Sequence, residues 1–308
     1  MLTRRHLRVK VMQQLYANSI SDSFDLKVAQ QQLQISNTGF FELYLLFLNM
    51  FIEVQACGLS LHNLAKKQYL KANSYQLNPK FFSNKAIAKL SNSKILQLKT
   101  SQFKINYWKQ HDEYVRLIWD HLSASNLYAE YLLNNETGFM ADKKALINFF
   151  TDVIAPYERL YELIEEIKPS WVDDFPLVNT IVRNTLIHMN EDTNNEDLIL
   201  TSIYKDEQDK IFAINLLKSV LVQDEELTAQ LKGRIPNWEQ DRIAVLDMIL
   251  LKLAIAEFLY FPSIPSKVTI NEYLEIAKEY ATPKSSTFIN GILDAISKDL
   301  ERNQSTDK

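Results

Sequence analysis

Pro169-Ser170-Trp171-Val172-Asp173-Asp174 and Pro236-Asn237-Trp238-Glu239-Gln240-Asp241 stand 67 residues apart, and the likeness runs on without a gap to either side. Asp142-Lys143 meets Asp209-Lys210, Ile147-Asn148 meets Ile214-Asn215, and Val153 meets Val220. Glu158 and Leu160 meet Glu225 and Leu227; beyond the tryptophans, Val178 and Leu186 meet Val245 and Leu253. The shared unit reads as helix, Pro-x-Trp-x-x-Asp turn, helix. Proline ends the first helix because it lacks an N–H. Asp174 or Asp241 then stands where an N-cap or first-turn carboxylate favours the next helix. A helix pair cannot bury its apolar face alone, so the two copies are expected to stack, with Trp171 and Trp238 as equivalent core plugs.

The rest of the chain is also helical in character. Only 5 glycines occur in 308 residues, which leaves few tight turns and few hairpins. Leu7, Val11 and Leu15 fall on one helical face, with His6, Lys10 and Gln13 opposite. Helical spacing continues from Phe24 to Lys67. Within it, Phe40 to Val54 holds 12 apolar residues of 15, too short a run to span a bilayer and interrupted by Glu42 and Glu53, so it reads as a core helix. Residues 72–105 are rich in Asn, Ser and Lys and read as loop with short helices. Thr269 and Glu272 have the spacing of a capping box, and Thr282-Pro283 that of an N-cap and first-turn proline. An all-α fold follows, divided into an N-terminal region, 1–135, and a C-terminal region, 136–308.

Charge is spread unevenly. Residues 1–111 hold 15 Lys+Arg against 4 Asp+Glu, while residues 112–308 hold 19 against 34. No acid lies between Glu53 and Asp112, where ten lysines fall. Such asymmetry points to a polyanion partner for the first third, against the plainer reading that the lysines solvate helical faces.

Enzyme chemistry has little to stand on. The five histidines are scattered, with no HExxH; no phosphate-cradling glycine motif occurs, and Asp192 to Asp197 lacks the glycine and terminal glutamate of a calcium loop. The lone Cys57 excludes an internal disulfide and fits a reducing cytoplasm. No metal, cofactor or secretory signal is expected. The positive signal is Arg4-Arg5-His6-Leu7-Arg8-Val9-Lys10, without an acid before Asp22. Guanidinium forks pair with phosphates and stack on exposed bases, so this cluster reads as a flexible arm at the frayed start of a helix.

Several runs resemble the NusB family. Arg4-Arg5-x-x-Arg8 with Gln13-x-Leu15-Tyr16 is similar to its N-terminal arm and first helix. Asp241-Arg242-Ile243, Leu250 to Glu257, Ile264-Pro265-x-Lys267-Val268, Ile270-Asn271-Glu272, Ile276-Ala277-Lys278 and Phe288 to Asp294 are similar to its C-terminal half. The match covers residues 3–17 and about 209–297 and is not evident over 20–135. The resemblance implies a NusB-like helical bundle, enlarged here by an insertion and a duplicated helix pair. It also implies a cytoplasmic, non-enzymatic antitermination factor that binds single-stranded boxA leader RNA with the ribosomal protein NusE. That pair helps load an antitermination complex on RNA polymerase during ribosomal RNA synthesis. Carried over, Arg4, Arg5, Arg8 and Gln13 would contact RNA, as would Tyr280, Lys284, Ser285 and Phe288; Tyr16 and Asp247 would meet NusE. The chain departs from the family at Ala281 and Lys284, where glycine and aspartate are frequent, and at Arg234. Two other readings are a helical protein-interaction scaffold without RNA binding, and the NusB-like domain of an RNA cytosine methyltransferase; for the latter, only Ser297 to Lys308 follows the matched region.

Overall fold

The computed structural model describes residues 1–21, 25–67, 78–194, 197–235 and 244–306, and every helix or strand among them is a helix. In chain order these are α1 (Arg4–Ser21), α2 (Leu26–Lys67), α3 (Lys85–Ser91), α4 (Lys94–Gln102), α5 (Tyr107–Gln110), α6 (Asp112–Ser123), α7 (Asn126–Leu133) and α8 (Phe139–Asn148). Then come α9 (Glu158–Ile167), α10 (Phe175–His188), α11 (Glu207–Val222), α12 (Asp224–Leu231), α13 (Val245–Tyr260), α14 (Ser266–Tyr280) and α15 (Ser285–Thr306). They form two compact units, one from Met1–Asn37 with Tyr204–Lys308, the other Thr38–Ile203. The division falls at 37/38 and 203/204, away from the 135/136 boundary expected from the sequence.

In the second unit the apolar centre of α2 forms the core. That helix is long and apolar enough to cross a membrane, with a mean hydropathy of 1.5 over its best window, of which 56% is buried. Its centre is covered by protein: Leu43 through Leu48 are all 0% exposed. Phe47 meets Phe150 and Phe175 edge-on, and Trp108 Nε1 donates to the Leu46 carbonyl at 2.8 Å. A second aromatic cluster joins Phe81, Trp119, Tyr128 and Phe149. Gly58 lets α2 approach it, since a Cβ there would stand 2.6 Å from the Trp119 ring.

The 67-residue repeat is present as helix order. α8, α9 and α10 of the second unit correspond to α11, α12 and α13 of the first. Burial matches at Phe149/Leu216, Phe150/Leu217, Val153/Val220, Leu160/Leu227 and Leu186/Leu253. It fails at Val178/Val245: Val178 is 0% exposed, one turn into α10, whereas Val245 is the first residue of α13 and 51% exposed. Behind α8 the first copy also carries a π-helical turn, Phe149–Ile154, where the Ala155 N–H reaches back five residues to the Phe150 carbonyl.

The copies lie in different units. Each is covered within its own unit by another helix, α3 on α8 and α1 on α11. The paired aspartates do matching work there. Asp142 accepts the backbone N–H of Lys85, the first residue of α3, at 2.9 Å, and Asp209 accepts Arg4 Nε, from the first residue of α1, at 2.9 Å.

Trp171 is the core plug the sequence suggests, fully buried, with Tyr107 edge-on to its ring; Trp238 and Asp241 lie outside the described residues. Asp174 occupies the N-cap of α10 without a side-chain capping bond. The Trp171 indole N–H has no acceptor among the described residues, so its contribution is volume and area. Trp171→Ala should cost about 3–5 kcal/mol in urea unfolding through the cavity it leaves, and Trp171→Phe much less. A loss under about 1 kcal/mol for the alanine variant would contradict the role.

Candidate nucleic-acid interface

The basic cluster begins α1, and α1 is not frayed. Thr3 Oγ1 lies 2.7 Å from His6 Nδ1, and the Thr3 carbonyl accepts the Leu7 N–H at 3.1 Å, closing the first turn. The three arginines are held by acids on three elements of the first unit, Arg8 also reaching Glu272 of α14 at 3.5 Å. Arg4 pairs with Asp209 of α11 at 2.9 Å; Arg5 makes a two-pronged bond to Glu272 of α14 at 2.8 and 3.0 Å. Arg8 forks onto Glu257 of α13 at 2.6 and 2.8 Å. The expected flexible arm is therefore an anchored helical turn.

Exposure separates these arginines. The Arg4 and Arg5 side chains are 40% and 43% exposed; those of Arg8 and Glu257 are 3% and 0%. Two buried charges survive only if each is fully hydrogen-bonded. Here the Glu257 carboxylate accepts four bonds, two from Arg8, one from Tyr273 Oη at 2.7 Å and one from Thr269 Oγ1 at 3.1 Å. The Arg8 guanidinium stands over the rings of Phe212 and Tyr273, 5.3 and 5.8 Å from their centroids. Burial opposes its charge, but the bond to Glu257 and the surrounding acids hold its pKa above the usual arginine value. Burial likewise pushes the Tyr273 hydroxyl well up, keeping it a neutral donor. The bond from Arg5 is the main cause that lowers Glu272 below the ordinary glutamate range, and Arg5 is raised by the same bond.

Two local expectations are corrected by these bonds. Thr269 and Glu272 do not form a capping box, because α14 already starts at Ser266 and both side chains turn toward α1 and α13. The face of α1 opposite Leu7 is not solvated at Lys10, which is 4% exposed and donates to Ser36 Oγ at 3.1 Å. Covered on both sides, α1 offers its first turn and its end to solvent.

The C-terminal candidates lie in the same unit. Tyr280 ends α14, eight residues or roughly 12 Å along the helix from Glu272. Lys284 is exposed, and Tyr280 and Phe288 are half-buried. Ser285 is buried and its Oγ donates to Asp247 Oδ2 at 3.0 Å, fastening the start of α15 to α13. The last helix starts at Ser285, so Thr282 is not its N-cap; Thr282 Oγ1 lies 2.8 Å from Ser285 Oγ in the preceding turn. Asp247 sits in the first turn of α13, 8% exposed, with Oδ1 lacking a partner among the described residues. Tyr16 is 42% exposed on α1, and Gln13 is half-buried.

Sequence spacing could not tell Arg8 from its neighbours. The signal lay in α13, where Glu257 is the single acid in an otherwise apolar run from Leu250 to Tyr260 apart from Lys252, and a buried acid calls for a cation.

Arg8→Ala or Glu257→Gln should each lower stability by about 3–5 kcal/mol by stranding a buried charge or donor. Replacing the pair together with apolar residues of similar volume, Arg8→Met with Glu257→Leu, should recover much of that loss. Equal destabilisation by the singles and the double in chemical unfolding would contradict a mutually dependent pair.

The comparisons with known proteins fall on these elements. The NusB family profile matches residues 176–298, from α10 into α15. Over 98 residues the chain is 42% identical to the transcription antitermination protein NusB of Chloroherpeton thalassium, covering 32% of this chain and 46% of that protein. It is 41% identical over 103 residues to that of Salinibacter ruber (33% and 64%) and 41% over 97 residues to that of Methylacidiphilum infernorum (32% and 68%). The chain thus spans about half to two thirds of the length of these relatives, and about two thirds of its own residues lie outside the matches. With a helical first unit assembled from the basic first helix and the matched segment from Tyr204 onward, the chain belongs to the NusB family.

Proposed function

We propose that this protein acts in transcription antitermination, binding single-stranded boxA-type leader RNA together with the ribosomal protein NusE and joining the antitermination complex on RNA polymerase. One observation carries the reading: the first turn of α1 holds Arg4 and Arg5 part-exposed and fixed, on a base made by the buried Arg8–Glu257 pair. Fixed cations lose less conformational entropy on binding than a loose arm would. Arg4 uses only Nε toward Asp209, which leaves its terminal nitrogens for a phosphate. Lys284 adds a third exposed cation, and Tyr280 a ring on which a base can stack.

The roles within the candidate set then divide. Arg4, Arg5, Gln13, Tyr280, Lys284 and Phe288 are the groups proposed to meet RNA. Arg8 and Ser285 act as positioning residues, since both are buried and bonded to α13. On the NusE side Tyr16 is the exposed contact. Asp247, being buried, would act by holding Ser285.

Arg4→Ala with Arg5→Ala should weaken boxA binding by tenfold or more, each decade being about 1.4 kcal/mol. Melting temperature is the control: the Arg5–Glu272 pair is part-exposed and worth at most about 1 kcal/mol, whereas Arg4→Ala also strands Asp209, 6% exposed, and should account for most of any loss. NusE should tighten wild-type binding, and Tyr16→Ala should remove that gain without affecting RNA binding by the protein alone. Anisotropy titrations at matched salt that give the arginine variant wild-type affinity, with NusE present, would overturn the assignment.

A further inference from the structure

We infer that the lysine-bearing face of α3, α4 and the turn after α4, in the second unit, is a second binding site, taking the phosphate backbone of single-stranded RNA without regard to sequence. The inference extends the RNA-binding reading from the first unit to a unit that the basic arm does not belong to.

Charge is the first observation. Residues 78–111 contain seven lysines and no acid. Elsewhere in the described chain some lysines find carboxylates, as in Lys168–Glu42, Lys252–Asp224, Lys278–Glu275 and Lys298–Asp294, and others, such as Lys144, Lys218 and Lys267, have none within ion-pair distance among the described residues; what sets 78–111 apart is that the segment holds no acid at all. Lys85, Lys94, Lys99, Lys104 and Lys109 have no carboxylate within ion-pair distance among the described residues. Lys80 and Lys89 direct their ammonium groups to backbone carbonyls instead, of Tyr131 and Glu191.

Their placement is the second observation. The apolar side of α3 (Ala86, Ile87, Leu90) is buried, and α4 buries Leu96, so Lys85 and Lys94 stand exposed away from those sides while Lys89 and Lys99 are half-buried at their edges. Both helices are locked by buried caps. Asn84 accepts the N–H groups of Ala86 and Ile87, and Ser93 accepts that of Leu96. Lys94 is therefore fixed at the first position of α4, where the helix dipole repels a cation and no acid shares the turn. Lys104 adopts φ 53°, the only residue other than glycine with positive φ among the described residues, and closes α4 as its left-handed cap, its N–H going to the Ser101 carbonyl and that of Ile105 back to the Thr100 carbonyl. A phosphate arriving there would relieve the uncompensated charge of Lys94 at that helix start.

The remaining exposed groups select the anion. They are mainly amides, Asn92, Gln97, Gln102, Asn106 and Gln110, with Leu98 the one large exposed apolar side chain. A membrane-surface helix needs a broad apolar face that α4 lacks. Ammonium and amide donors suit phosphate oxygens and base edges.

The test uses the full chain and a thirty-nucleotide oligouridylate, which lacks a boxA element. Wild type should bind it with an affinity that falls steeply with salt. Lys85→Gln, Lys94→Gln, Lys99→Gln and Lys104→Gln together should cut the slope by up to about 2.8, at about 0.7 per lost contact. Lys94→Glu alone should weaken binding at least threefold while the melting temperature holds or rises, since an acid suits that helix end. The Arg4→Ala, Arg5→Ala variant separates this site from the arm: its loss should be read on boxA RNA, while its oligouridylate slope should still respond to the four lysine changes. An unchanged slope in the quadruple variant would overturn the inference. So would lysine-dependent binding to phosphatidylserine vesicles without lysine-dependent binding to oligouridylate.

Discussion

The bond between Arg8 and Glu257 is the interaction on which the first unit depends. It joins the second turn of the first helix to the most buried stretch of α13, across almost the whole sequence. A carboxylate with no exposure is costly unless every lone-pair site is used, and Glu257 recruits α1 through Arg8 and α14 through Thr269 and Tyr273. Three helices are thereby held in one register by a single acid. The pair need not add net stability over an apolar replacement; what it fixes is geometry. Two residues of that geometry, Arg4 and Arg5, are then presented to solvent on a rigid turn.

A second constraint appears twice. Asp142 and Asp209, separated by one repeat length, each grip the opening residue of the helix laid across them. A short polar bond at a helix start sets where that helix begins, and apolar burial at equivalent positions sets how it lies. The repeat thus preserves a way of docking a helix, using α1 in one unit and α3 in the other. The two docked helices differ in what they expose: an arginine pair answered by acids in the first, lysines without acids in the second.

Much of the fold was legible because its signals are local. Apolar spacing of three and four residues marks α1, α2 and α15, the scarcity of glycine argues against hairpins, and the Pro-x-Trp spacing reveals the repeat. The sequence could not reveal that the two repeats belong to separate units, since that depends on long-range closure between Met1–Asn37 and Tyr204–Lys308. Thr269 and Glu272 looked like a capping box because that spacing is common to caps and to side chains sharing a helix face; the nearby Arg8 and Arg5 decided between them. For the same reason Arg4, Arg5 and Arg8 read as one cluster, although one is core and two are surface. The candidate site was recognisable by composition and resemblance, and its division into contacting and supporting residues required the partners.

Amide hydrogen exchange over residues 4–10, in free wild-type protein and in Glu257→Gln, tests most directly whether the buried pair preorganises the basic turn. With the buried pair intact, amides beyond the first turn, from Arg8 onward, should exchange about as slowly as those of α13, and the substitution should accelerate them by at least tenfold while α15 is less affected. Fast, unprotected exchange of those amides in the wild type, or protection indifferent to Glu257, would contradict a turn preorganised by that pair.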